Sequence, residues 1–394
     1  MKYYIKDSKE IMSMISLDST YKELISLTFE DEVYYLYEDA SVEALGIHLI
    51  EDELFLETHK ESLEGKLSNE LNGPYKELIE NRKLIGINLK KLPFNHDKQL
   101  KSKYRVNVLG LGDVGGMMLS AFRLIGGDII EAIGIFDLDD NRIKRWCYEL
   151  NQIMTIDRGP FPEVYGITMD NLFECDVFIF TASSRIPEVG SGITDVRMYQ
   201  LEANTKIVSI YAKKAKEVNF KGQFIVVSDP VDLLCKAALV HGGLRPEQIK
   251  GFGLGVMQAR ANYYANKNGM TYYYEQGRAF GPHGKHLVIA DSMTGYSEEK
   301  SLKLTEMTVK ANLDVRAVGY KPFIAPALSS AAMSILAYLE GKWHYSTVYI
   351  DGVYFGCKHK GIGLDRTITE KYTLDSMLLS RLESSYKELK SFEF

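Results

Sequence analysis

Residues 105–116 read Arg-Val-Asn-Val-Leu-Gly-Leu-Gly-Asp-Val-Gly-Gly, an apolar run that enters a cluster of glycines. The run is typical of a buried strand, and residues 117–123 after the glycines are typical of a helix. Gly110 permits a tight turn, Gly112 allows the backbone to approach a pyrophosphate, and Gly115 allows helix and strand to pack closely. The stretch therefore predicts a strand–turn–helix unit whose free N–H groups can bind phosphate.

A second apolar run, residues 133–136, ends in Asp137. At the end of the second strand of a βαβ unit, a carboxylate accepts hydrogen bonds from an adenosine ribose. The same carboxylate repels a ribose 2′-phosphate, so NAD is favoured over NADP. Together, the strand, the glycine turn, the helix and the terminal acid favour a dinucleotide site over a structural turn without a ligand.

The 394-residue chain has the composition of an ordinary globular protein with room for two or three domains. A net charge of −6, with no Lys/Arg cluster interleaved with aromatic residues, argues against nucleic-acid binding. Residues 1–7 lack the apolar core of a signal peptide and no run is long enough to span a bilayer, so we expect a cytoplasmic protein with no membrane partner. The four cysteines are widely spaced and predict neither a metal site nor a disulfide framework.

The chain divides into three predicted domains. Residues 1–100 contain 20 Asp and Glu against 12 Lys and Arg, and we expect a small α+β N-terminal domain of unknown role. Residues 104–235 alternate strands and helices and predict a Rossmann-type parallel sheet, and residues 236–394 predict a mixed α/β substrate and catalytic lobe. The expected N-terminal helices are 8–15, 63–71 and 74–82, its strands are 33–37, 54–56 and 84–87, and a linker spans 91–99. The expected Rossmann strands are 105–109, 130–136, 175–182, 206–210 and 224–228.

A loop rich in glycine and serine, residues 183–195, follows the predicted strand 175–182. Sites in open α/β sheets lie beyond the carboxyl ends of the strands. The loop is therefore predicted to be a mobile lid over a site at that edge of the sheet.

Several strings in residues 104–394 resemble those of the NAD-dependent lactate and malate dehydrogenase family, and they occur in the family's order. In the first half of this region, the glycine turn 110–115 with Asp137 resembles the family's cofactor motif, residues 176–182 resemble the strand before its lid, and residues 197–204 resemble the helix that carries its carbonyl-polarising arginine. Further on, residues 227–234 resemble its S-N-P-V-D motif and residues 281–284 its G-E-H-G motif. Residues 325–327 and 349–356 resemble its late A-P-A and D-G-x-Y-G strings.

The resemblance implies hydride transfer between the nicotinamide of NAD and a small 2-hydroxy/2-oxo acid or a related substrate. His283 corresponds to the proton donor, Arg260 to the arginine that clamps the substrate carboxylate, and Arg197 to the arginine that polarises the carbonyl. Arg185 corresponds loosely to a further lid arginine. The resemblance also implies a homo-oligomer. The remaining cofactor contacts would come from Asp113, Val114, Thr181, Ala182 and Ser228.

Two catalytic positions depart from the family. Met257 replaces an aspartate that pairs with the histidine, and methionine cannot orient an imidazole, so the relay is weakened or its acid lies elsewhere, with Glu275 as a candidate. Asp229 replaces the asparagine of S-N-P. A carboxylate cannot donate a hydrogen bond unless protonated and repels a substrate carboxylate, so Asp229 could instead meet a cationic or amine-bearing substrate. If Asp229 excludes ordinary 2-oxo acids, Asp229→Asn should raise activity toward pyruvate or oxaloacetate.

Two functions remain open. The favoured one is an NAD-dependent oxidoreductase with candidate catalytic residues His283, Arg197, Arg260 and Asp229. The alternative is a catalytically silent NAD-binding regulatory or interaction protein, whose N-terminal domain binds a partner. The two altered positions favour the alternative, and retention of the histidine and the two arginines favours the enzyme.

Overall fold

The computed structural model describes residues 1–41, 44–51, 55–56, 62–68, 75–92, 102–184, 196–364 and 366–394, without the side chains of 196–199. Its strands form one sheet of six, one of nine and a separate pair. Within these residues no helix combines the length and apolar character needed to cross a bilayer. The predicted linker lies largely outside the described residues.

The N-terminal residues form a mixed sheet in the order β3-β1-β2-β4-β6-β5. Apolar side chains cover both faces of it, with Met12, Tyr35 and Leu84 on one face and Ile11 and Ile85 on the other. The strands are β1 Lys2–Lys6, β2 Lys9–Ser13, β3 Lys22–Leu24, β4 Val33–Tyr37, β5 Ile47–Leu49 and β6 Leu84–Asn88, and two short helices are α1 Leu63–Leu67 and α2 Lys76–Glu80.

Two of the predicted N-terminal elements are wrong. The helix expected over residues 8–15 is strand β2, which pairs with β1 through a tight turn where Asp7 and Ser8 have φ of 50° and 62°. The strand expected over 54–56 is helical at Phe55 and Leu56, and Leu54 lies outside the described residues. Both runs are short, and a short apolar run does not by itself distinguish a strand from a helix.

The nine-stranded sheet has the order β9-β8-β7-β10-β11-β12-β15-β16-β17. Its first six strands are parallel and the last three antiparallel. The strands are β7 Tyr104–Leu109, β8 Ile130–Phe136, β9 Glu163–Gly166, β10 Val177–Phe180, β11 Gln223–Val226, β12 Ile249–Gly251, β15 Trp343–Ile350, β16 Val353–Gly361 and β17 Thr367–Thr369, and β13 Arg278–Phe280 pairs separately with β14 Val288–Ala290.

Helices cover both faces of the parallel strands, and apolar clusters fill the space on each side. This is the predicted Rossmann-type arrangement. The helices are α3 Asp113–Ile125, α4 Asp140–Asn151, α5 Val196–Glu217, α6 Val231–Gly242, α7 Leu254–Lys267, α8 Tyr273–Gln276, α9 Glu298–Ala317, α10 Met333–Leu339 after a π-helical segment Pro326–Ala332, and α11 Ser376–Lys390.

The strand predicted over 206–210 is wrong, since these residues lie inside helix α5. Val208, Tyr211, Ala212 and Ala215 are buried against the sheet. Counted from Val208, the other three residues follow after three, four and seven positions, which is the period of a helix. This pattern extends beyond the five residues that resembled a strand.

The order of the parallel strands reverses between β7 and β10, which lie side by side with β8 on the other flank of β7. In such sheets the carboxyl ends of the two central strands leave a crevice for a ligand. The glycine turn, the start of the predicted lid and Asp229 follow the carboxyl ends of β7, β10 and β11.

A buried cluster of charges joins the N-terminal sheet to strand β17. The Glu51 carboxylate, 2 % exposed, lies 2.9 Å from the Lys66 ammonium and also pairs with Arg82. The same carboxylate accepts the Thr369 N–H at 3.3 Å, and the Lys371 ammonium donates to the Glu51 carbonyl at 3.4 Å. We call these residues the Glu51 cluster. It lies where the first 100 residues contact the edge of the larger sheet.

Candidate functional site

The glycine turn joins β7 to helix α3, whose N-cap is Gly112. Gly110 has φ of +97°, and a Cβ there would lie 2.7 Å from the Ala182 nitrogen. A Cβ on Gly115 would lie 2.1 Å from the Gly110 oxygen, whereas one on Gly112 would meet no atom of the described residues within 4 Å. Gly110 and Gly115 are therefore required by contacts within the chain, whereas the space beside Gly112 is open among the described residues, and a pyrophosphate there remains a prediction.

We expect Gly115→Ala and Gly112→Ala to have different effects. The clash at Gly115 should lower the free energy of unfolding by about 1–3 kcal/mol. Gly112→Ala should change it by less than about 1 kcal/mol, yet weaken binding of NADH by placing a methyl group where the phosphates approach. Thermal denaturation and fluorescence titration with NADH measure the two effects. Equal loss of stability in both variants would contradict the assignment of Gly112 to the ligand side.

Asp137 lies beside the glycine turn and orders it. Its Oδ2 accepts the Leu111 N–H at 2.8 Å, and its Oδ1 accepts the Asp139 N–H at 3.1 Å. The Arg142 guanidinium lies 3.3 Å from Oδ2. The carboxylate is thus fixed at the predicted end of β8, next to the open side of the turn. Asp113, at the first position of α3, pairs with Lys321 at 3.3 Å on the surface.

Two hydroxyl groups hold the carboxyl ends of the central strands together. The Thr181 hydroxyl donates toward the carbonyl oxygens of Leu109 and Gly110, at 3.0 and 2.6 Å. The Ser228 hydroxyl donates to the Ala182 carbonyl at 2.7 Å. Thr181, Ala182 and Ser228 therefore lie along one edge with the glycine turn, and their contact with a cofactor remains a prediction.

His283 is held by two aspartates that follow strand β11. Its Nδ1 lies 2.7 Å from Oδ1 of Asp229, and its backbone N–H donates to Oδ2 of Asp232 at 3.0 Å. Because a carboxylate only accepts, the ring nitrogen is the donor to Asp229. Among the described residues Nε2 has no hydrogen-bond partner. The ring is 15 % exposed and the Asp229 side chain 61 % exposed, so both reach the surface of the crevice.

Asp232 is a residue that the sequence reasoning missed. It is 4 % exposed and also accepts the Thr347 hydroxyl at 2.7 Å. Burial raises the pKa of Asp232, while the hydrogen bonds from Thr347 and from His283 act to lower it. Its place two residues after Pro230, within the string 227–234, was the signal available in the sequence.

The partner of His283 is therefore Asp229 and not Glu275, which lies exposed on helix α8. Met257 is 2 % exposed within an apolar cluster that includes Leu254 and Ala261. Its sulfur offers no charge to an imidazole. Position 257 thus supplies no acid to the histidine.

Arg260 lies one turn after Met257 on helix α7 and is partly buried. Its Nη1 lies 3.6 Å from the Met257 sulfur, and within the described part of the chain it forms no ion pair. Burial lowers the pKa of Arg260, while the charge of Asp229 acts to raise it. The guanidinium is thus near the His283–Asp229 pair and lacks a carboxylate within ion-pair distance among the described residues.

Asn204, on helix α5, is a second residue that the sequence reasoning did not single out. It is 1 % exposed; its Oδ1 accepts the Ser184 N–H at 2.7 Å, and its Nδ2 donates to the Asp229 carbonyl at 2.8 Å. It thereby ties the start of the predicted lid to the residue that contacts His283. Arg185 and the rest of the lid lie outside the described residues, and so does the side chain of Arg197.

Comparison with known proteins agrees with this architecture. Residues 104–251 match the model described as lactate/malate dehydrogenase, NAD binding domain. The L-lactate dehydrogenase of Treponema denticola is 28 % identical over 195 residues, which cover 49 % of this chain and 59 % of the relative. That of Staphylococcus saprophyticus is 26 % identical over 181 residues, covering 46 % and 54 %. The matched segments thus span less than two thirds of these relatives.

Solved structures show the same fold over a longer range. A lactate dehydrogenase from a Medee basin deep-sea metagenome library has a TM-score of 0.62 at 19 % identity, and covers 74 % of this chain and 98 % of its own. Malate dehydrogenase from Plasmodium falciparum has a TM-score of 0.59 at 18 % identity, with 73 % and 96 % covered. Residues 104–251 therefore match the NAD-binding domain of the lactate/malate dehydrogenase family, and the solved structures share the fold of about three quarters of the chain.

Proposed function

We propose that the protein is an NAD-dependent dehydrogenase that interconverts a 2-hydroxy acid and a 2-oxo acid. The observation that carries the proposal is Arg260, a partly buried guanidinium that forms no ion pair in the described part of the chain. A buried charge without a counter-ion is unfavourable, and a guanidinium binds a carboxylate through two parallel hydrogen bonds. Arg260 thus suits a substrate that carries a carboxylate.

The residues of the glycine turn would hold NAD, with the pyrophosphate at Gly112 and the N-terminus of α3, and the adenosine ribose near Asp137. The bound nicotinamide supplies or accepts a hydride. The chain's own contribution is proton transfer and charge. In the reducing direction His283 gives a proton from Nε2 to the carbonyl oxygen of the substrate, and Arg260 binds the carboxylate. Arg197 would polarise the carbonyl when the lid closes.

The contact between Asp229 and His283 bears on the choice of substrate. Asp229 is not an isolated carboxylate, since the His283 ring donates to it at 2.7 Å. When the ring is protonated, the pair carries no net charge, so its repulsion of a substrate carboxylate is reduced. This favours a 2-oxo acid over the cationic or amine-bearing substrate. The similar proteins described above are named lactate and malate dehydrogenases, and pyruvate and oxaloacetate are accordingly the first acids to test.

The decisive experiment measures oxidation of NADH with a panel of 2-oxo acids, including pyruvate and oxaloacetate, in wild type and Arg260→Gln. We expect Arg260→Gln to lower kcat/KM by about 100-fold, because a buried charge pair with substrate is lost, and to leave NADH affinity unchanged. Arg316→Gln, an exposed arginine at the end of α9, is the matched control and should behave as wild type.

Two outcomes would count against the proposal. NADH binding without turnover of any 2-oxo acid would favour the silent NAD-binding protein. Turnover that is unaffected by Arg260→Gln would show that Arg260 does not bind the carboxylate of the substrate. A homo-oligomer and a cytoplasmic location remain predictions, which sedimentation of the purified protein and cell fractionation can test.

A further inference from the structure

We infer that Asp229, in the loop after strand β11, is the acid that positions His283 for proton transfer, a role that Met257 on helix α7 cannot fill. The inference rests on the proposed function for its chemistry. It concerns the contact between two side chains, however, and can be tested in the protein without cofactor or substrate.

The first step is the geometry of the ring. Asp229 lies three residues after the end of β11 and His283 three residues after the end of β13, and a hydrogen bond of 2.7 Å joins Oδ1 of Asp229 to Nδ1 of His283. The Asp232 carboxylate fixes the backbone of His283 through its N–H at 3.0 Å. A Cβ on Gly253 would lie 3.0 Å from the Cβ of His283, so close packing confines the histidine from that side. The backbone and the ring are thus held separately, and the ring presents Nε2 away from Asp229.

The other acids considered among the described residues are not available to the His283 ring. Both carboxylate oxygens of Asp232 already accept hydrogen bonds, one from Thr347 and one from the His283 backbone. Glu275 is exposed on α8, and the side chain at position 257 is a buried thioether. Within the described residues, Asp229 is the carboxylate in hydrogen-bond contact with the His283 ring.

The third step is the chemistry that the contact permits. With Asp229 accepting from Nδ1, the protonated ring carries its second proton on Nε2, where a carbonyl oxygen can take it. After the transfer, the neutral ring keeps its proton on Nδ1 and Asp229 keeps its negative charge. The carboxylate therefore fixes the ring in the tautomer that can react and stabilises the imidazolium before the proton is transferred. An acid can do this from any position in the chain that brings it into contact with Nδ1.

This assignment reverses one expectation from the sequence. If Asp229 only repelled the substrate, Asp229→Asn would raise activity toward 2-oxo acids. An asparagine can donate its amide N–H to an unprotonated Nδ1, which places the ring proton on Nε2 and blocks its role as an acid. We therefore expect Asp229→Asn to lower kcat/KM by about 100-fold, with unchanged affinity for NADH.

The first test is the tautomer of His283 in the protein without ligand, measured by ¹⁵N NMR and assigned with His283→Gln. Wild type and Asp229→Glu should carry the proton of the neutral ring on Nδ1, and Asp229→Asn should move it toward Nε2. Asp170→Asn is the matched control, because Asp170 is 92 % exposed and pairs with Lys214 near the far end of α5. A wild-type ring protonated on Nε2, or no change in Asp229→Asn, would overturn the inference.

The second test restores the acid on helix α7. The double variant Asp229→Asn with Met257→Asp should recover at least about tenfold of the activity lost in Asp229→Asn, because position 257 corresponds, by resemblance, to the aspartate that pairs with the histidine. Its folding is checked by thermal denaturation; if it does not fold, the NMR result on the single variants decides. If wild type reduces no 2-oxo acid while the tautomer follows the expected pattern, the proposed function fails and the positioning of His283 by Asp229 stands.

Discussion

Replacing His283 with glutamine is expected to lower kcat for reduction of a 2-oxo acid by about 10²–10⁴-fold, the usual contribution of a positioned general acid. Glutamine can still accept or donate a hydrogen bond, but it cannot carry a transferable proton at neutral pH. The affinity for NADH should stay within about twofold of wild type, since the described contacts of His283 are with Asp229 and Asp232 and not with the glycine turn. Steady-state kinetics and fluorescence titration measure the two quantities.

The control for this variant is His241→Gln, because His241 lies in the last turn of α6 and packs against Phe394 at a ring distance of 5.9 Å. It should leave kcat unchanged. A His283→Gln variant with wild-type kcat would show that the proton comes from elsewhere.

Glu51→Gln is expected to lower the free energy of unfolding by about 3–5 kcal/mol, the cost of removing one partner from a buried ion pair. The carboxylate is 2 % exposed, lies 2.9 Å from the Lys66 ammonium and also pairs with Arg82. Glutamine has nearly the same shape and no charge. Denaturant unfolding at neutral pH measures the change, and Glu131→Gln is the control. Glu131 pairs with Arg105 at 3.1 Å but is 50 % exposed, so its loss should cost less than about 1 kcal/mol.

The same cluster predicts a dependence of stability on pH. Burial acts to raise the pKa of Glu51, but the charges of Lys66, Lys371 and Arg82 outweigh it and hold that pKa below its usual value. The stabilisation is therefore complete above the ordinary pKa of a glutamate and is lost as the pH falls through the lower value in the folded protein. The difference in stability between wild type and Glu51→Gln should narrow on acidification. A constant difference from neutral pH to acid would contradict the assignment.

The parts of the fold that the sequence predicted correctly depend on local patterns. The unit from Tyr104 to Asp137 combines an apolar strand, glycines with a steric requirement and an acid at the next strand end, all within one stretch of chain. The strand predicted over residues 206–210 is wrong because so short an apolar run fits the period of a strand and that of a helix equally well. The pattern of buried residues that identifies a helix extends as far as Ala215.

The sequence was enough to name residues of the candidate site, but not to predict which of them contact one another. His283, Arg260 and Asp229 could be named from motifs, but the hydrogen bond between His283 and Asp229 joins residues 54 positions apart. Whether a carboxylate reaches an imidazole over such a separation depends on how β11 and β13 are placed. The resemblance directed attention to position 257, which holds a methionine, whereas the acid in contact with the His283 ring is Asp229.

The contact between the N-terminal sheet and strand β17 has a consequence for any attempt to produce residues 101–394 alone. Leu63 and Leu67 belong to the same apolar core as Phe280 and Phe355. The backbone of Tyr372 donates to the Leu67 carbonyl at 2.8 Å. A truncated chain beginning at residue 101 would leave this core open to water beside an uncovered sheet edge, and such edges promote aggregation. We therefore expect the first 100 residues to stabilise the fold of the remaining chain.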